Sequence, residues 1–220
     1  MAKRRPAVVR RGFFVIVPLE YRQAAAPPPT WFVDDLMEFH GPRYYVGLLS
    51  AAALYGAAHQ QPQEFHVITS EQLRPAVAGR VRLRFFRKRR IERTATMEMK
   101  TETGTLRVST PEETAFDLMR YPESSGHLGD IATVLAELAE KMEGQQLVEV
   151  SRTEDSVATA QRLGYLLERV GAGEVGAKLE EWIASLRPRF VRLRRDRSTR
   201  RRPTDARWRV IVNEDIETDV

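Results

Sequence analysis

Residues 43–62 read RYYVGLLSAAALYGAAHQQP, a stretch of small and medium apolar residues with little charge. Its apolar positions recur every three or four residues, which is the spacing of one face of an α-helix. That face consists of Leu48, Ala51, Ala52, Tyr55 and His59. Alanine and serine let other elements approach closely. The stretch therefore predicts a buried helix at the centre of a domain, and residues 64–69 predict a strand directly after it.

The composition of the 220-residue chain is that of an ordinary globular protein, with 42% apolar and 30% charged residues. No run reaches the roughly 18 apolar residues that cross a bilayer. Residues 1–9 lack the apolar core and the cleavage site of a signal peptide. Because the chain has no cysteine, it has no disulfide and no thiolate metal site. We therefore expect a cytoplasmic protein with no membrane partner.

The chain is basic, since 35 Lys and Arg residues outnumber 30 Asp and Glu, for a net charge of +5 and a pI near 9.7. Arginine dominates the basic set, and its guanidinium group binds phosphate through two parallel hydrogen bonds. Nucleic acid is thus the first partner to consider. The same balance is common in proteins from GC-rich genomes, where it carries no functional meaning, and both interpretations stay open.

The order of the predicted elements indicates an α+β fold. Turn and capping residues separate runs of strand alternation from runs of helical spacing. Strands are predicted at residues 13–17, 64–69, 81–86, 94–101, 105–109, 190–193 and 207–212. Helices are predicted at 30–39 and 43–62, from Thr110, from Leu128 to a stop at Gly144, at 157–170 and at 175–186. We expect an antiparallel or mixed sheet packed with helices, then a C-terminal helical bundle and a final strand pair.

An Ala/Pro-rich segment at residues 24–29 marks a predicted domain boundary. Before it, residues 1–24 form a basic segment with one strand. After it, residues 25–220 form a single α+β domain. Within that domain we expect a sheet part at 25–120, a helical part at 121–186 and an arginine-rich strand pair at 187–213.

Three basic segments are candidates for nucleic-acid contact. In the strand at 81–86, Arg82 and Arg84 alternate with apolar residues, and four basic residues follow it. The alternation places these arginines on one face, where they can neutralise phosphates. The alternative is a solvated edge or loop that keeps strands from aggregating. The candidates are Arg10, Arg11, Arg82, Arg84, Arg87, Lys88, Arg89, Arg90, Arg192, Arg194 and Arg195.

The helix that begins near Thr110 has the most complete start signal in the sequence. Thr110 is the predicted N-cap, Pro111 takes the first helical position, and Glu113 stands three residues after the cap. A catalytic role for Glu112, Thr114 and Asp117 is conceivable. Capping and first-turn electrostatics explain these residues without chemistry, and we favour that interpretation.

No arrangement typical of an active site is present. Residues 171–176 fit Gly-x-Gly-x-x-Gly, but they follow a predicted helix rather than a strand, so we interpret them as a helix stop and a helix start. Asp34 and Asp35 are adjacent on a predicted helix and point about 100° apart, so they do not converge on one ion. The sequence therefore predicts no catalytic residue, no cofactor and no metal, and a protein that is not an enzyme.

Three motifs resemble the AbiE antitoxin family, the transcriptional-regulator half of type IV toxin–antitoxin pairs. They are Tyr-Tyr-x-Gly-Leu-Leu-Ser-Ala at residues 44–51 with Gly56, Ser-x-Pro-Glu-x-Thr-x-x-Asp at 109–117, and Gln-Arg-Leu-Gly-Tyr-Leu-Leu-Glu at 161–168. Glu113 departs from the second motif, where the family has arginine or lysine. The order and spacing of the motifs, across residues 11–212, make the resemblance specific.

Residues 11–18, RGFFVIVP, resemble the wing that ends the N-terminal winged helix-turn-helix of this family. Only ten residues precede Arg11, too few for the recognition helix. The resemblance therefore implies that most of the winged helix-turn-helix is missing, either lost or excluded by a start codon placed too late. The alternative is a lone edge strand of the main domain.

The resemblance implies an antitoxin of a bacterial abortive-infection system, which defends against phage. Such a protein counteracts a nucleotidyltransferase-like toxin, generally without a stable complex, and represses its own operon by binding operator DNA. Two other classes stay open at this point. One is a stand-alone nucleic-acid-binding protein, and the other is a degenerate relative of nucleases or nucleotidyltransferases.

Overall fold

The computed structural model describes residues 5–58, 62–154 and 156–216. The chain forms two compact units, Met1–Ala51 with Gln60–Ser109, and Ala52–His59 with Thr110–Val220. The first unit holds the largest sheet and the second holds most of the helices, so the predicted α+β fold is confirmed. His59, which we expected on the central helical face, lies outside the described residues.

The described part of the chain begins with a hairpin formed by β1 (Arg5–Arg10) and β2 (Phe13–Val17). The two strands are antiparallel, and Gly12 in the turn has a φ of +85° that glycine adopts at little cost. The strand predicted at 13–17 is confirmed, whereas β1 was not predicted. One face of the hairpin is buried and the other is apolar but exposed through Val8, Phe14 and Ile16.

The next helix, α1 (Val33–His40), ends where the sequence predicted. Gly41 closes it in the left-handed conformation, with a φ of +87°. Its start was predicted too early, at Thr30, because Pro29–Trp31 first form a 3-10 turn. Phe32 then occupies the N-cap position.

The central stretch holds a strand and a short helix instead of one long helix. β3 (Tyr44–Val46) comes first, and α2 (Leu48–Leu54) follows after Gly47. The prediction of helix from residue 43 was wrong because the backbone of β3 pairs with strands on both sides. The aromatic and β-branched side chains of β3 also suit a pleated sheet. Burial of the predicted helical face is confirmed for Leu48, Ala51 and Ala52, which are 0% exposed, whereas Tyr55 is half-buried and lies beyond the end of α2.

Five further strands complete the mixed sheet of the first unit. They are β4 (Phe65–Thr69), β5 (Ala76–Ala78), β6 (Val81–Arg87), β7 (Thr96–Lys100) and β8 (Thr105–Ser109). The spatial order is β5-β6-β4-β3-β8-β7. β4 pairs with β6 and β3 with β8 in parallel, and the other neighbours are antiparallel. The four strands predicted in this region are confirmed, and β5 is an addition.

Five α-helices build most of the second unit. They are α3 (Pro111–Arg120), α4 (Leu128–Leu138), α5 (Gly144–Thr153), α6 (Val157–Arg169) and α7 (Gly173–Leu186). Gly144 begins α5 rather than ending α4, so that predicted stop was wrong. The chain leaves α4 through a 3-10 turn at Ala139–Lys141. Gly171, with a φ of +80°, separates α6 from α7 as predicted.

A small three-stranded sheet follows α7, where the sequence predicted a pair of strands. It consists of β9 (Val191–Arg192), β10 (Thr204–Asp205) and β11 (Val210–Ile211). The order is β10-β11-β9, with β11 parallel to β9. Trp208 precedes β11 and is 1% exposed. No helix in the three described ranges has the length and apolar character needed to cross a membrane.

Candidate nucleic-acid interface

The arginines of β6 lie on one face of the large sheet, as the alternation predicted. Arg82 and Arg84 are exposed, whereas Leu83 between them and Phe85 after them are buried. The guanidinium of Arg84 lies 5.2 Å from the centre of the Phe86 ring and 3.4 Å from a carboxylate oxygen of Glu64. At this exposure such an ion pair contributes little to stability. The face therefore presents positive charge to solvent.

Exposed basic residues continue from the end of β6 into the segment after it, but one member of the predicted set is lost. Arg87, Arg89 and Arg90 are exposed. Lys88 is only 3% exposed, and its ammonium group donates to the Tyr45 hydroxyl at 3.3 Å. Because its ammonium group is buried against the hydroxyl and ring of Tyr45, Lys88 is left out of the exposed set that we call the β6 arginines: Arg82, Arg84, Arg87, Arg89 and Arg90.

Arg10 and Arg11 lie at the end of the hairpin and differ in their surroundings. Arg10 is half-buried, its guanidinium lies 5.0 Å from the centre of the Phe85 ring, and it donates to the Arg74 carbonyl. Burial lowers the pKa of Arg10. Phe85 belongs to the face of β6 opposite Arg82 and Arg84. Arg10 therefore lies on the face opposite Arg82 and Arg84, while Arg11 is exposed in the hairpin turn.

The C-terminal candidates belong to the second unit. Arg192 and Arg195 are exposed, and Arg192 donates from its side chain to the Arg195 carbonyl at 3.4 Å. Arg194 is already neutralised, because it donates to Asp196 at 2.9 Å and to Glu214 at 3.0 Å. These hydrogen bonds raise the pKa of Arg194. The predicted set is thus divided between two units and does not form one continuous surface within the first.

The first sequence motif is explained by packing. A Cβ atom on Gly47 would lie 2.8 Å from Cδ1 of Ile68 and 3.1 Å from the Tyr45 ring, so a larger residue there would require these side chains to shift. The Ser50 hydroxyl is buried and accepts a hydrogen bond from the His66 amide at 2.8 Å. These residues join α2 to β4. The motif specifies the fold and carries no reactive group.

The second motif is a helix start, as we inferred. The Thr110 hydroxyl accepts from the Glu113 amide at 3.3 Å, and Pro111 occupies the first helical position. Glu112 is buried and accepts from the Glu143 amide at 2.8 Å, which fixes the start of α5.

Among residues 5–58, 62–154 and 156–216, no group of three or more His, Cys, Asp or Glu side chains is placed to hold a metal ion. Asp34 instead accepts the Tyr44 hydroxyl.

The third motif attaches α6 to the small C-terminal sheet. The Gln161 side-chain amide donates to the carbonyls of Arg189, Trp208 and Arg209 at 3.0–3.1 Å. Gly164 packs against the Trp208 ring, and a Cβ there would overlap it. Glu168 accepts from the Trp208 indole nitrogen and pairs with Arg207 at 2.8 Å. Sequence reasoning noted this motif but missed Trp208 as its partner, since 40 or more residues separate them.

Apart from Tyr44, the residues of the three motifs fall within the span that identifies the family. The family sequence model of the AbiEi antitoxin C-terminal domain matches residues 45–169, more than half of the chain. The chain belongs to the AbiEi antitoxin family. It is therefore an antitoxin of a toxin–antitoxin system. The match includes the β6 arginines of this antitoxin, whereas the hairpin and the C-terminal candidates lie outside it.

A solved structure supports the fold of this AbiEi antitoxin. The crystal structure of the RV2827C protein from Mycobacterium tuberculosis is similar to it with a TM-score of 0.58 and 17% sequence identity. The similarity covers 89% of this chain and 68% of that one. At this identity the likeness concerns the fold alone. No curated protein matches the antitoxin.

Proposed function

We propose that this AbiEi antitoxin counteracts a nucleotidyltransferase-like toxin of an abortive-infection system without forming a stable complex with it. The family match carries the proposal. Two of the three motifs, at residues 109–117 and 161–168, lie wholly inside the matched span. The first caps a helix and the second packs against the C-terminal sheet, so the antitoxin needs a folded scaffold rather than a catalytic centre of its own. We further propose that the antitoxin acts as a cytoplasmic, non-enzymatic transcriptional regulator in phage defence.

The operator contact that we propose is made by the β6 arginines. They are exposed on one strand and its continuation, and the guanidinium of Arg84 lies 3.4 Å from a carboxylate oxygen of Glu64. The hairpin is proposed to act as the wing of a winged helix, with Arg11 at its tip reaching DNA. Cations spaced along a rigid strand neutralise successive phosphates and release their counterions.

Co-expression with the toxin encoded beside this gene tests the antitoxin role. We expect the chain to restore growth of cells that produce the toxin, and affinity purification to recover no stable complex. Failure to restore growth, together with toxin-independent binding of RNA or DNA, would favour a stand-alone nucleic-acid-binding protein. Metal-dependent turnover of a nucleic acid that changing Asp117 abolishes would establish an enzyme instead.

Replacing Arg82 and Arg89 by alanine tests the proposed operator contact. We expect binding to the chain's own promoter DNA to weaken at least about tenfold. The plot of log association constant against log[salt] should become less steep by about two, one for each lost phosphate contact. The growth rescue should persist, because neither side chain contributes to the buried core. Electrophoretic mobility shifts at several salt concentrations measure both quantities.

The matched control removes Arg22 and Arg43, two exposed arginines of the same unit that lie outside β6. This control changes the net charge equally and should leave the slope nearly unchanged. If both double variants weaken binding to the same extent, a general charge effect explains it and the β6 arginines have no special role.

A further inference from the structure

A cavity in the second unit lies between α3, α4, α6 and β9. Its volume is about 470 Å³, within the range of roughly 300–1,000 Å³ typical of small-molecule sites. Met119, Leu128 and Leu193 supply apolar wall, and Arg162 and Arg195 supply positive charge. No residue of this cavity belongs to the β6 arginines, so the site is separate from the DNA contact proposed above.

Arg162 is the unusual member of this wall. It is 7% exposed, yet no carboxylate in the described part of the chain forms an ion pair with it. Its Nε donates to the Arg192 carbonyl at 2.7 Å and one Nη donates to the Ala158 carbonyl at 3.2 Å. Carbonyl groups orient the guanidinium but do not neutralise it. A buried charge without a counter-charge is costly.

The neighbouring charge of Arg195 increases this cost. Burial, and then the positive charge of Arg195, lower the pKa of Arg162 to about 10. The two guanidinium groups therefore repel each other, and both residues line the same cavity. Arg195 is itself exposed, and no described carboxylate pairs with it.

The other charged groups of the cavity already have partners or are acidic. Arg120 pairs with Glu154, and Arg194 pairs with Asp196 and Glu214. Asp130 occupies the N-terminus of α4 by accepting from the His127 amide at 2.8 Å, so that helix end is not available to a ligand. Glu123 adds one negative charge at the wall. The remaining positive charge is that of Arg162 and Arg195.

We propose that this cavity binds a nucleoside phosphate, with the phosphate between Arg162 and Arg195 and the base against Leu128 and Leu193. Arginine binds phosphate through paired hydrogen bonds, and the carbonyl contacts hold the Arg162 group in place before the ligand arrives. The phosphate would replace the missing counter-charge of Arg162. The ligand is either a free nucleotide or the phosphorylated 5′ end of a single strand, which share this chemistry.

Titration calorimetry of the full chain with four probes tests the site. The probes are adenosine 5′-monophosphate, adenosine, a 5′-phosphorylated trinucleotide and the same trinucleotide with a 5′-hydroxyl. We expect the phosphorylated member of at least one pair to bind and its unphosphorylated partner to bind at least about tenfold more weakly. Binding of the mononucleotide identifies a free nucleotide as ligand. Binding of the trinucleotide alone identifies a strand end.

Replacing Arg195 by alanine should weaken binding of the preferred probe about tenfold, because one charge-assisted contact to phosphate is lost. Arg200→Ala is the matched control, since Arg200 is an exposed arginine of the same segment and lies outside the cavity wall. Arg162→Lys keeps the charge but loses the paired geometry, and a thermal melt establishes that it is folded. We expect it to bind more weakly than the wild type.

Absence of binding by both phosphorylated probes would overturn the proposal, as would equal effects of Arg195→Ala and Arg200→Ala. The variant lacking Arg82 and Arg89 should bind these probes normally. Normal probe binding by that variant would show that the cavity can bind its ligand whether or not the proposed operator contact is correct.

Discussion

Replacing Trp208 by alanine is expected to lower the free energy of unfolding by about 3–5 kcal/mol, the range for truncating a large buried aromatic side chain. Trp208 is 1% exposed and fills the space that Gly164 leaves on α6. Its indole N–H donates to Glu168, so the truncation also removes a hydrogen bond. Urea denaturation followed by circular dichroism and tryptophan fluorescence measures the change.

Phe190→Ala is the control for this prediction, because Phe190 belongs to the same segment but is 44% exposed. Its effect on the free energy of unfolding should be below about 1 kcal/mol.

Gly164→Ala provides a second check of the contact between Gly164 and Trp208. In the wild type it should destabilise by about 1–3 kcal/mol through overlap with the Trp208 ring. In the Trp208→Ala background it should be neutral or stabilising, by up to about 1 kcal/mol, because alanine is the better helix former. Equal effects in both backgrounds would contradict the contact.

Acidification is expected to destabilise the first unit through His66. The His66 side chain is 4% exposed, and its Nδ1 has no hydrogen-bond partner within the described ranges. Burial lowers the pKa of His66 to about 4, and the charge of Arg84 adds to this effect while Glu64 opposes it. The unfolded chain, with a histidine pKa of about 6.5, binds the proton more tightly. Stability is therefore lost as the pH falls from about 6.5 to about 4.

Between these pH values, His66 should lower the free energy of unfolding by about 3 kcal/mol in total, since each unit of pKa difference between the folded and unfolded chain corresponds to about 1.4 kcal/mol. Urea unfolding of the wild type and of His66→Leu at pH 7, 5.5 and 4 measures it. We expect the wild type to lose about 3 kcal/mol more than the variant over this interval. His40→Leu is the matched control, and its effect should be smaller because His40 is only half-buried. Parallel pH curves for wild type and His66→Leu would refute the prediction.

Local signals in the sequence were sufficient for several element boundaries. Thr110 with Pro111 defines the start of α3, and Gly41 and Gly171 define two helix ends, because capping and left-handed backbone depend on the residue itself. The alternation in β6 was likewise visible and correctly placed Arg82 and Arg84 on one face. Basic composition and these exposed positions were enough to select candidates for nucleic-acid contact.

Other features could not be predicted because they depend on partners distant in the chain. Residues 44–46 have helical neighbours in sequence but become β3 because β4 and β8 pair with them on both sides. Lys88 looks like its basic neighbours, yet the burial of its ammonium against Tyr45 separates it from them. The cavity beside Arg162 arises where α6 meets a segment about thirty residues later.

The sequence by itself determined the α+β class, several helix boundaries, the AbiEi motifs and the basic character of β6, since each depends on short-range propensity or on the order of residues. Tertiary structure alone decided that the 43–62 stretch begins with a strand, which a short helix follows. It also divided the predicted arginines between two units and left Arg162 buried without a counter-charge. Burial and pairing are properties of the assembled chain, and they override local preference wherever a side chain or backbone group loses its contact with water.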